Sequence, residues 1–406
     1  VIRQIRTEGD LIKINDWLLP LSWLYGIGVS LRNWCFDIGL LKQQSFDIPV
    51  ISVGNITVGG AGKTPHVEYL VRLLRQVVKV GVLSRGYKRK SKGYVLAQED
   101  TPLEDIGDEP FQMKHKYPDA YVAVDRKRCR GIENMLHAPE TNDVDVILLD
   151  DAFQHRYVKP GINILLVDYH RLIIYDKLLP AGRLREPLSG KNRADIVIVT
   201  KCPKDLKPME FRVLTKAMNL YPYQQLFFTS IDYGELEPLY GPDGAAKHLC
   251  DQQNAFKVDS LAGKNVLLLT GIASPQQMEN DITPVCRSVQ TLAYADHHQF
   301  SSDDVSIINA TFERMDEPKI IVTTEKDATR LLAVDGLSIQ AKKSIFALPI
   351  RVHFMLDQEE TFNQTIISYV RKNSRNSILV KEKDVHKPQD SHHSGHRPGT
   401  ISFRNN

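Results

Sequence analysis

One stretch, Asp47 to Thr64, limits what this chain can fold into. It opens with the apolar run Ile48-Pro49-Val50-Ile51-Ser52-Val53, passes through Gly54-Asn55-Ile56-Thr57-Val58, and closes on Gly59-Gly60-Ala61-Gly62-Lys63-Thr64. An apolar run, clustered glycines and a helical pattern over Pro65–Gln76 read as a buried strand, a loop and a helix. Glycine tolerates the φ angles that turn successive N–H groups inward, and the helix N-terminus adds its positive dipole end. A lysine there puts a charge on terminal phosphates, and the hydroxyl after it is where Mg²⁺ is held. Thr57 takes the first glycine position of the G-x-x-x-x-G-K-[ST] pattern, so the match is imperfect. A glycine-rich turn with a chance Gly-Lys-Thr is the alternative. The strand before and the helix after favour a phosphate-binding loop formed by Thr57, Val58, Gly59, Gly60, Ala61, Gly62, Lys63 and Thr64.

The rest of the chain repeats this alternation. Apolar runs at Val77–Leu83, Ala120–Val124, Val144–Leu149, Ile162–Asp168 and Asp195–Val199 alternate with helical patterns. That order specifies an α/β fold with a parallel sheet covered on both faces. Pro238, Gly241, Pro242 and Gly244 break the pattern between Phe227 and Asp259. Asn265–Ala273 and Lys319–Thr323 then start a second α/β unit, and 406 residues suffice for two or three domains. A net charge of +3 gives no argument for nucleic acid. Five scattered cysteines without a C-x-x-C fit a reducing compartment and no structural zinc. No secretory signal with a small-residue cleavage site is evident, and nothing calls for an obligate protein partner.

Trp17–Leu31 carries no charge. It is shorter than the roughly 20 residues of a bilayer span, and Trp17, Trp23, Tyr25 and Trp34 are the types that settle at a membrane surface. A core helix and a monotopic surface helix are both open, and one face can serve each purpose; the aromatic anchors favour the surface. The tail from Asn373 is polar and irregular and reads as disordered, its histidines being weak metal candidates.

Candidate site residues cluster where strands end, the place where open α/β sheets bind ligands. Arg85 and Tyr87 follow the second run and are expected to contact ligand, whereas Lys88–Lys92 read equally well as a solvated turn. Asp108 and Glu109 precede a helix over Phe111–Tyr117, where a carboxylate is either an N-terminal charge or a general base. Arg126 stands at a strand end suited to phosphate recognition. Asp150-Asp151 end an apolar strand as in a Walker-B element facing Mg²⁺, a cheaper arrangement than two buried carboxylates without a cation. Gln154 and His155 follow at the same edge, and Arg183, Arg185 and Glu186 lie in a proline-punctuated loop. Pro203 occupies the place of aspartate in the guanine-reading Asn-Lys-x-Asp element, which leans toward ATP. His297-His298 are an adjacent pair ill suited to one ion; a catalytic or orienting role, a surface loop and a satisfied core histidine remain open.

In order, Val53-Gly54-Asn55 with Gly59–Thr64, Ser84-Arg85-Gly86-Tyr87, Gly107-Asp108-Glu109-Pro110, Asp150–His155, Leu179–Pro187, Asp296-His297-His298 and Thr324-Glu325-Lys326-Asp327 resemble the tetraacyldisaccharide 4′-kinase family, the lipid A 4′-kinases. The resemblance runs from about Trp17 to Tyr369. Ala152 stands where the family more often has glycine, a change tolerated at a negative φ, and the chain after about Arg371 is an extension it does not explain. It implies two α/β/α sandwiches joined by a short β linker, with the nucleotide between them and the N-terminal helix on the membrane. We set the expected units at 1–35, 36–228 and 229–372, with a tail over 373–406. It implies transfer of the ATP γ-phosphoryl group to the 4′-hydroxyl of a lipid A disaccharide 1-phosphate precursor at the cytoplasmic face of the Gram-negative inner membrane. Lys63 would then hold phosphates and assist catalysis, with Mg²⁺ on Thr64, Asp151 and Glu186. Asp108 would take the hydroxyl proton, oriented by His297. Arg85, Tyr87, Arg126, Asp150, Gln154, His155 and Arg185 would face the substrate or nucleotide. A P-loop GTPase or ATPase coupling hydrolysis to a conformational change is the competing reading.

Overall fold

The computed structural model describes residues 14–241, 256–272, 275–295 and 298–374. Helix α1 (Leu19–Asp37) precedes β1 (Val50–Gly54), α2 (Lys63–Leu74), β2 (Val80–Ser84), β3 (Val95–Leu96), α3 (Leu103–Ile106), α4 (Asp108–Lys116) and β4 (Tyr121–Val124). Then come α5 (Arg128–His137), β5 (Val146–Asp150), β6 (Ile162–Asp168), β7 (Ile196–Thr200), α6 (Pro208–Met218) and β8 (Gln225–Tyr233). After β9 (Glu237–Pro238) follow β10 (Asn265–Thr270), α7 (Pro275–Ile282), β11 (Ser288–Ala293), α8 (Ser302–Glu313), β12 (Lys319–Thr324), α9 (Glu325–Leu331), α10 (Ile339–Ser344) and β13 (Ile345–Leu348). The described chain ends with β14 (Ile350–Phe354) and α11 (Glu359–Asn373).

The strands form a nine-stranded sheet, β14-β8-β7-β6-β1-β5-β2-β4-β3, and a five-stranded one, β11-β10-β12-β13-β9. Within the first, β8 to β4 run parallel and only the edge strands β14 and β3 are antiparallel. Every residue of β1, β2, β5 and β7 is buried, as a parallel sheet covered on both faces requires. One face packs on Leu70 and Leu74 of α2 and on Phe362 and Ile366 of α11. The other packs on Ile132 and Met135 of α5. Each such side chain contributes about 1.5–3 kcal/mol by leaving water.

The path of the last segment differs from the expected unit 229–372. β8 runs through the 228/229 boundary, and Ile350–Asn373 return to the first sheet as β14 and α11. Phe362, Ile366 and Val370 are an apolar helical stripe, but only the fold shows which sheet they cover. The two crossings between sheets lie side by side, Gly234 N–H donating to the Pro349 carbonyl at 2.8 Å. Residues 242–255 of the sequence break, and the tail from Arg375, lie outside the described residues.

α1 uses its two sides differently. One docks on the first unit: Ser22 Oγ donates to the Leu178 carbonyl at 3.0 Å, and Arg156 bonds the Asn33 carbonyl and the Asp37 carboxylate. The other leaves Trp23 70%, Leu24 67% and Ile27 65% exposed, with Trp17 just before it at 92%. Among the described residues no helix is long and apolar enough to cross a membrane.

Candidate functional site

Strand register sets the site. Val53 of β1 lies opposite Asp150 of β5, so the chain leaves β1 into its glycine loop beside the two aspartates. A second segment clamps the loop: Val58 N–H donates to the Arg183 carbonyl at 2.8 Å and Arg185 N–H to the Ile56 carbonyl at 2.8 Å. Gly59 and Gly62 have φ of 123° and 77°, backbone that side chains rarely adopt, and Gly62 caps α2, which begins at Lys63. His66, absent from the sequence reading, locks that cap. Its Nδ1 lies 2.7 Å from the Gly62 carbonyl and its Nε2 3.1 Å from Thr229 Oγ1. A carbonyl only accepts, so Nδ1 carries the proton and Nε2 accepts from the hydroxyl. Burial pushes this histidine down to about 4, keeping it neutral.

The two aspartates have opposite surroundings. Lys63 Nζ lies 3.5 Å from Asp151 Oδ1 and Arg185 Nη1 lies 3.5 Å from Oδ2. Burial works against charge on Asp151, but Lys63 and then Arg185 outweigh it and hold the carboxyl below its ordinary range. Asp151 also takes the left-handed φ of 46°, whereas Ala152 is not among the positive-φ residues and needs no glycine. Asp150 accepts from Ser84 Oγ at 3.1 Å on Oδ2, and its Oδ1 is buried with no hydrogen-bond partner. Burial, then the nearby Glu109 and Asp151 charges, push Asp150 up to about 7. An orphaned carboxylate oxygen beside a phosphate loop is one that a divalent cation would satisfy. Among the described residues no group of three His, Cys, Asp or Glu could hold a metal alone. Mg²⁺ takes one or two carboxylates and completes its shell with phosphates and water.

Glu186 sits in a hydrogen-bonded cluster. It is 2% exposed and accepts from Arg193 Nη2 at 2.8 and 3.0 Å, from Gln154 Nε2 at 3.2 Å and from Asn33 Nδ2 at 3.4 Å. A buried carboxylate needs a cation, and Arg193 supplies it. Gln154 is fixed further by donating to the Asn55 carbonyl at 2.6 Å. His155 is pushed down to about 4 by burial and by the cations Arg128, Arg32 and Arg85. Arg85 and Arg126 are exposed at strand ends. Arg128, missed by the sequence reading, is buried and ties the Asp125 and Asp150 carbonyls together at 2.7 and 2.9 Å.

These parts border a cleft of about 410 Å³ between the sheets. Gly59–Thr64, Asp151 and Arg185 line it from the first unit, along with Tyr87, Glu109 and Lys201. Ile272 and Met278 line it from the second, and Ile231, Tyr233 and Ile350 complete an apolar wall where the two sheets connect. The polar end suits a phosphate chain and the apolar wall an aromatic base.

Asp108 begins α4 behind Gly107, whose φ of 89° and approach to the Tyr87 carbonyl leave no room for a side chain. Arg330 of α9 reaches it across the two units, with Nε and Nη2 at 2.9 and 2.5 Å from Oδ2. Lys326 lies 3.4 Å from Glu109, and Lys116 links Glu68 and Glu325. Thr324–Asp327 form the cap and first turn of α9, and Arg330 carried no motif signal beyond its place in the same helix. Asp296 and His297 lie outside the described residues. His298 is a satisfied histidine, its Nε2 2.9 Å from Asp304 Oδ2 and its ring stacked on Tyr294.

Residues 14–393 match the family model described as tetraacyldisaccharide-1-P 4′-kinase, so the match runs past Arg371, where the sequence resemblance was expected to stop. A tetraacyldisaccharide 4′-kinase of Phocaeicola vulgatus is 58% identical over 372 residues, 91% of this chain and 99% of the relative. That of Bacteroides thetaiotaomicron is 51% identical over 380 residues, 93% of this chain and 99% of the relative. Among solved structures, LpxK from Aquifex aeolicus, crystallised in complex with ATP, is 29% identical with a TM-score of 0.65, covering 88% of this chain and 99% of that one.

Proposed function

The chain belongs to the tetraacyldisaccharide 4′-kinase family, and from that premise we propose how its residues divide the work. The reaction is transfer of the ATP γ-phosphoryl group to the 4′-hydroxyl of a tetraacyl-disaccharide 1-phosphate, in lipid A biosynthesis. The hydroxyl oxygen forms a bond to the γ-phosphorus, the bond from that phosphorus to the β,γ-bridging oxygen breaks, and ADP leaves. The hydroxyl proton goes to Asp108. A loose transition state of this kind needs charge compensation and in-line positioning more than covalent chemistry.

Lys63 and the loop Thr57–Gly62, through those of its amides that are not taken up by the loop's own hydrogen bonds, hold the donor phosphates in this reading. The observation that carries it is Lys63 facing Asp151 at 3.5 Å at the mouth of the glycine loop, beside the orphaned Asp150 oxygen. Thr64 and Asp151, with Asp150 behind, would hold Mg²⁺, which when bound would offset the charge of the donor phosphates. Glu186 serves by fixing Gln154, and joining the metal would require it to leave Arg193. Arg85, Tyr87, Arg126, His155, Gln154 and Arg185 form the polar border of the acceptor side, and His297 is retained as the orienting partner of Asp108.

The same reading divides the chain into one unit over 36–233 completed by 350–373, a second over 236–348, and the adjacent β8 and β14 crossings as the β linker. It places α1 flat on the inner-membrane surface at its cytoplasmic side, where both ATP and the acylated substrate are reached. The test is labelled phosphate from ATP in the presence of the detergent-dispersed acylated disaccharide 1-phosphate. Label in the lipid supports the transfer; phosphate release to water without labelled lipid overturns it in favour of a P-loop hydrolase.

A further inference from the structure

Arg330 is fully buried yet joins two carboxylates. Its Nη1 donates to Asp327 Oδ1 at 3.0 Å, one turn away on its own helix. Asp327 is pinned in turn, its Oδ2 accepting from Gly271 N–H at 2.8 Å and Thr324 Oγ1 at 2.7 Å. The guanidinium is therefore braced from behind by the end of β10 and the cap of α9. Its remaining edge grips Oδ2 of Asp108, 222 residues away, through both Nε and Nη2. Asp327 alone would neutralise a buried arginine, so the reach to the residue that opens α4 at the cleft is additional.

We propose that Arg330 is a positioning residue for phosphoryl transfer. By holding Oδ2 it fixes the plane of the Asp108 carboxylate that takes the acceptor proton. Because the grip comes from the second sheet, the base is in register only when the two units are together. This rests on the reading of Asp108 as base. A planar fork can set a carboxylate plane, and a point charge cannot. The described charges about Asp108 are Glu109 on its own helix and Lys326, Asp327 and Arg330 on α9. Removing Arg330 takes away the cation that Oδ2 contacts directly and so raises the proton affinity of Asp108.

The test uses the full chain, labelled ATP and the detergent-dispersed acylated disaccharide 1-phosphate, with kcat, KM for ATP and thermal melting recorded across pH. Arg330→Lys keeps the charge and loses the fork; its expected effect is a fall in kcat of about tenfold or more with KM for ATP unchanged. Arg330→Gln is expected to move the acid limb of the kcat profile upward by about one pH unit. The double variant Arg330→Gln/Asp327→Asn keeps this arm measurable if the single one does not fold, since it removes one of the stranded charges. Folded variants with unchanged kcat and an unmoved acid limb overturn the proposal, a lowered melting temperature alone marking a structural pair. Asp108→Asn separates the two ideas: near-normal kcat there overturns the base reading itself, whereas loss of about 10²-fold or more leaves Arg330 as the element under test.

Discussion

Lys63 Nζ and Asp151 Oδ1 face each other at 3.5 Å, so the loop proposed to hold the donor is ion-paired to the strand end that would hold the metal. In that proposal, phosphates entering the cleft would have to take Lys63 over from Asp151. Lys63→Met should therefore lower kcat by about 10²–10³-fold, as loss of one preorganised donor does. Lys63→Arg should recover little, because its wider fork does not fit the place of a point charge between loop and carboxylate. Steady-state transfer assays and equilibrium ATP binding check both.

Asp150 gives a pH dependence whose sign follows from its surroundings. Burial raises its folded pKa to about 7, above the ordinary carboxylate range. Its contribution to stability is therefore complete at low pH and is lost as pH rises through about 7, because folding then holds a buried charge. Mg²⁺ with ATP held beside it would favour the ionised form. The rise in melting temperature on adding Mg²⁺ and ATP should thus be larger at about pH 8 than at about pH 6. Asp150→Asn should flatten that difference, and an equal rise at both pH values in the native chain would remove Asp150 from the metal site.

Much of this was legible because the first sheet announces itself. Uninterrupted apolar runs such as Val146-Ile-Leu-Leu149 fit strands buried on both faces, and Asp150-Asp151 at such a run's end already implied a cation. Besides His66 and Arg128, three things were not legible. The 2.8 Å pair of Glu186 with Arg193 comes from the fold and carries no local signal. The β14 and α11 segment has ordinary strand and helix patterns that do not say which sheet they join. Arg330 is one basic residue in a short helix, and its pairing with Asp108 depends on two units meeting. Local pattern reports elements, and partners far along the chain come from topology.

α1 carries a prediction that the fold makes sharper than the sequence did. Deleting the segment would also remove the Ser22 and Asn33 contacts that hold the Leu178–Arg185 loop and Arg156. Charged substitutions on the exposed face, Trp23→Glu with Ile27→Glu, leave those contacts in place. They should release the protein from anionic lipid vesicles, since each lost apolar side chain removes up to about 1.5–3 kcal/mol of burial. Activity on detergent-dispersed substrate should stay within about threefold, a shift of less than about 1 kcal/mol in transition-state stabilisation. Vesicle flotation beside that assay decides it, and undiminished flotation would return the helix to a purely packing role.

Lys116 tests how firmly the two units are joined. Its Nζ lies 2.6 Å from Glu68 Oε2 and 2.7 Å from Glu325 Oε1, one carboxylate on α2 of the first unit and one on α9 of the second. Both carboxylates are at most 9% exposed, and Glu237 nearby is pushed up to about 7 by burial and by the Glu325 charge. Lys116→Met would leave Glu68 and Glu325 buried without their cation, at a cost of about 3–5 kcal/mol. The triple variant Lys116→Met/Glu68→Gln/Glu325→Gln removes the charges together and should regain most of that stability, because an uncharged cluster needs no cation. Urea unfolding of the three proteins measures the difference. A single-variant loss under about 1 kcal/mol would mean that the cluster behaves as a solvated surface pair, and the α4–α9 seam would then rest on Asp108–Arg330 and Glu109–Lys326.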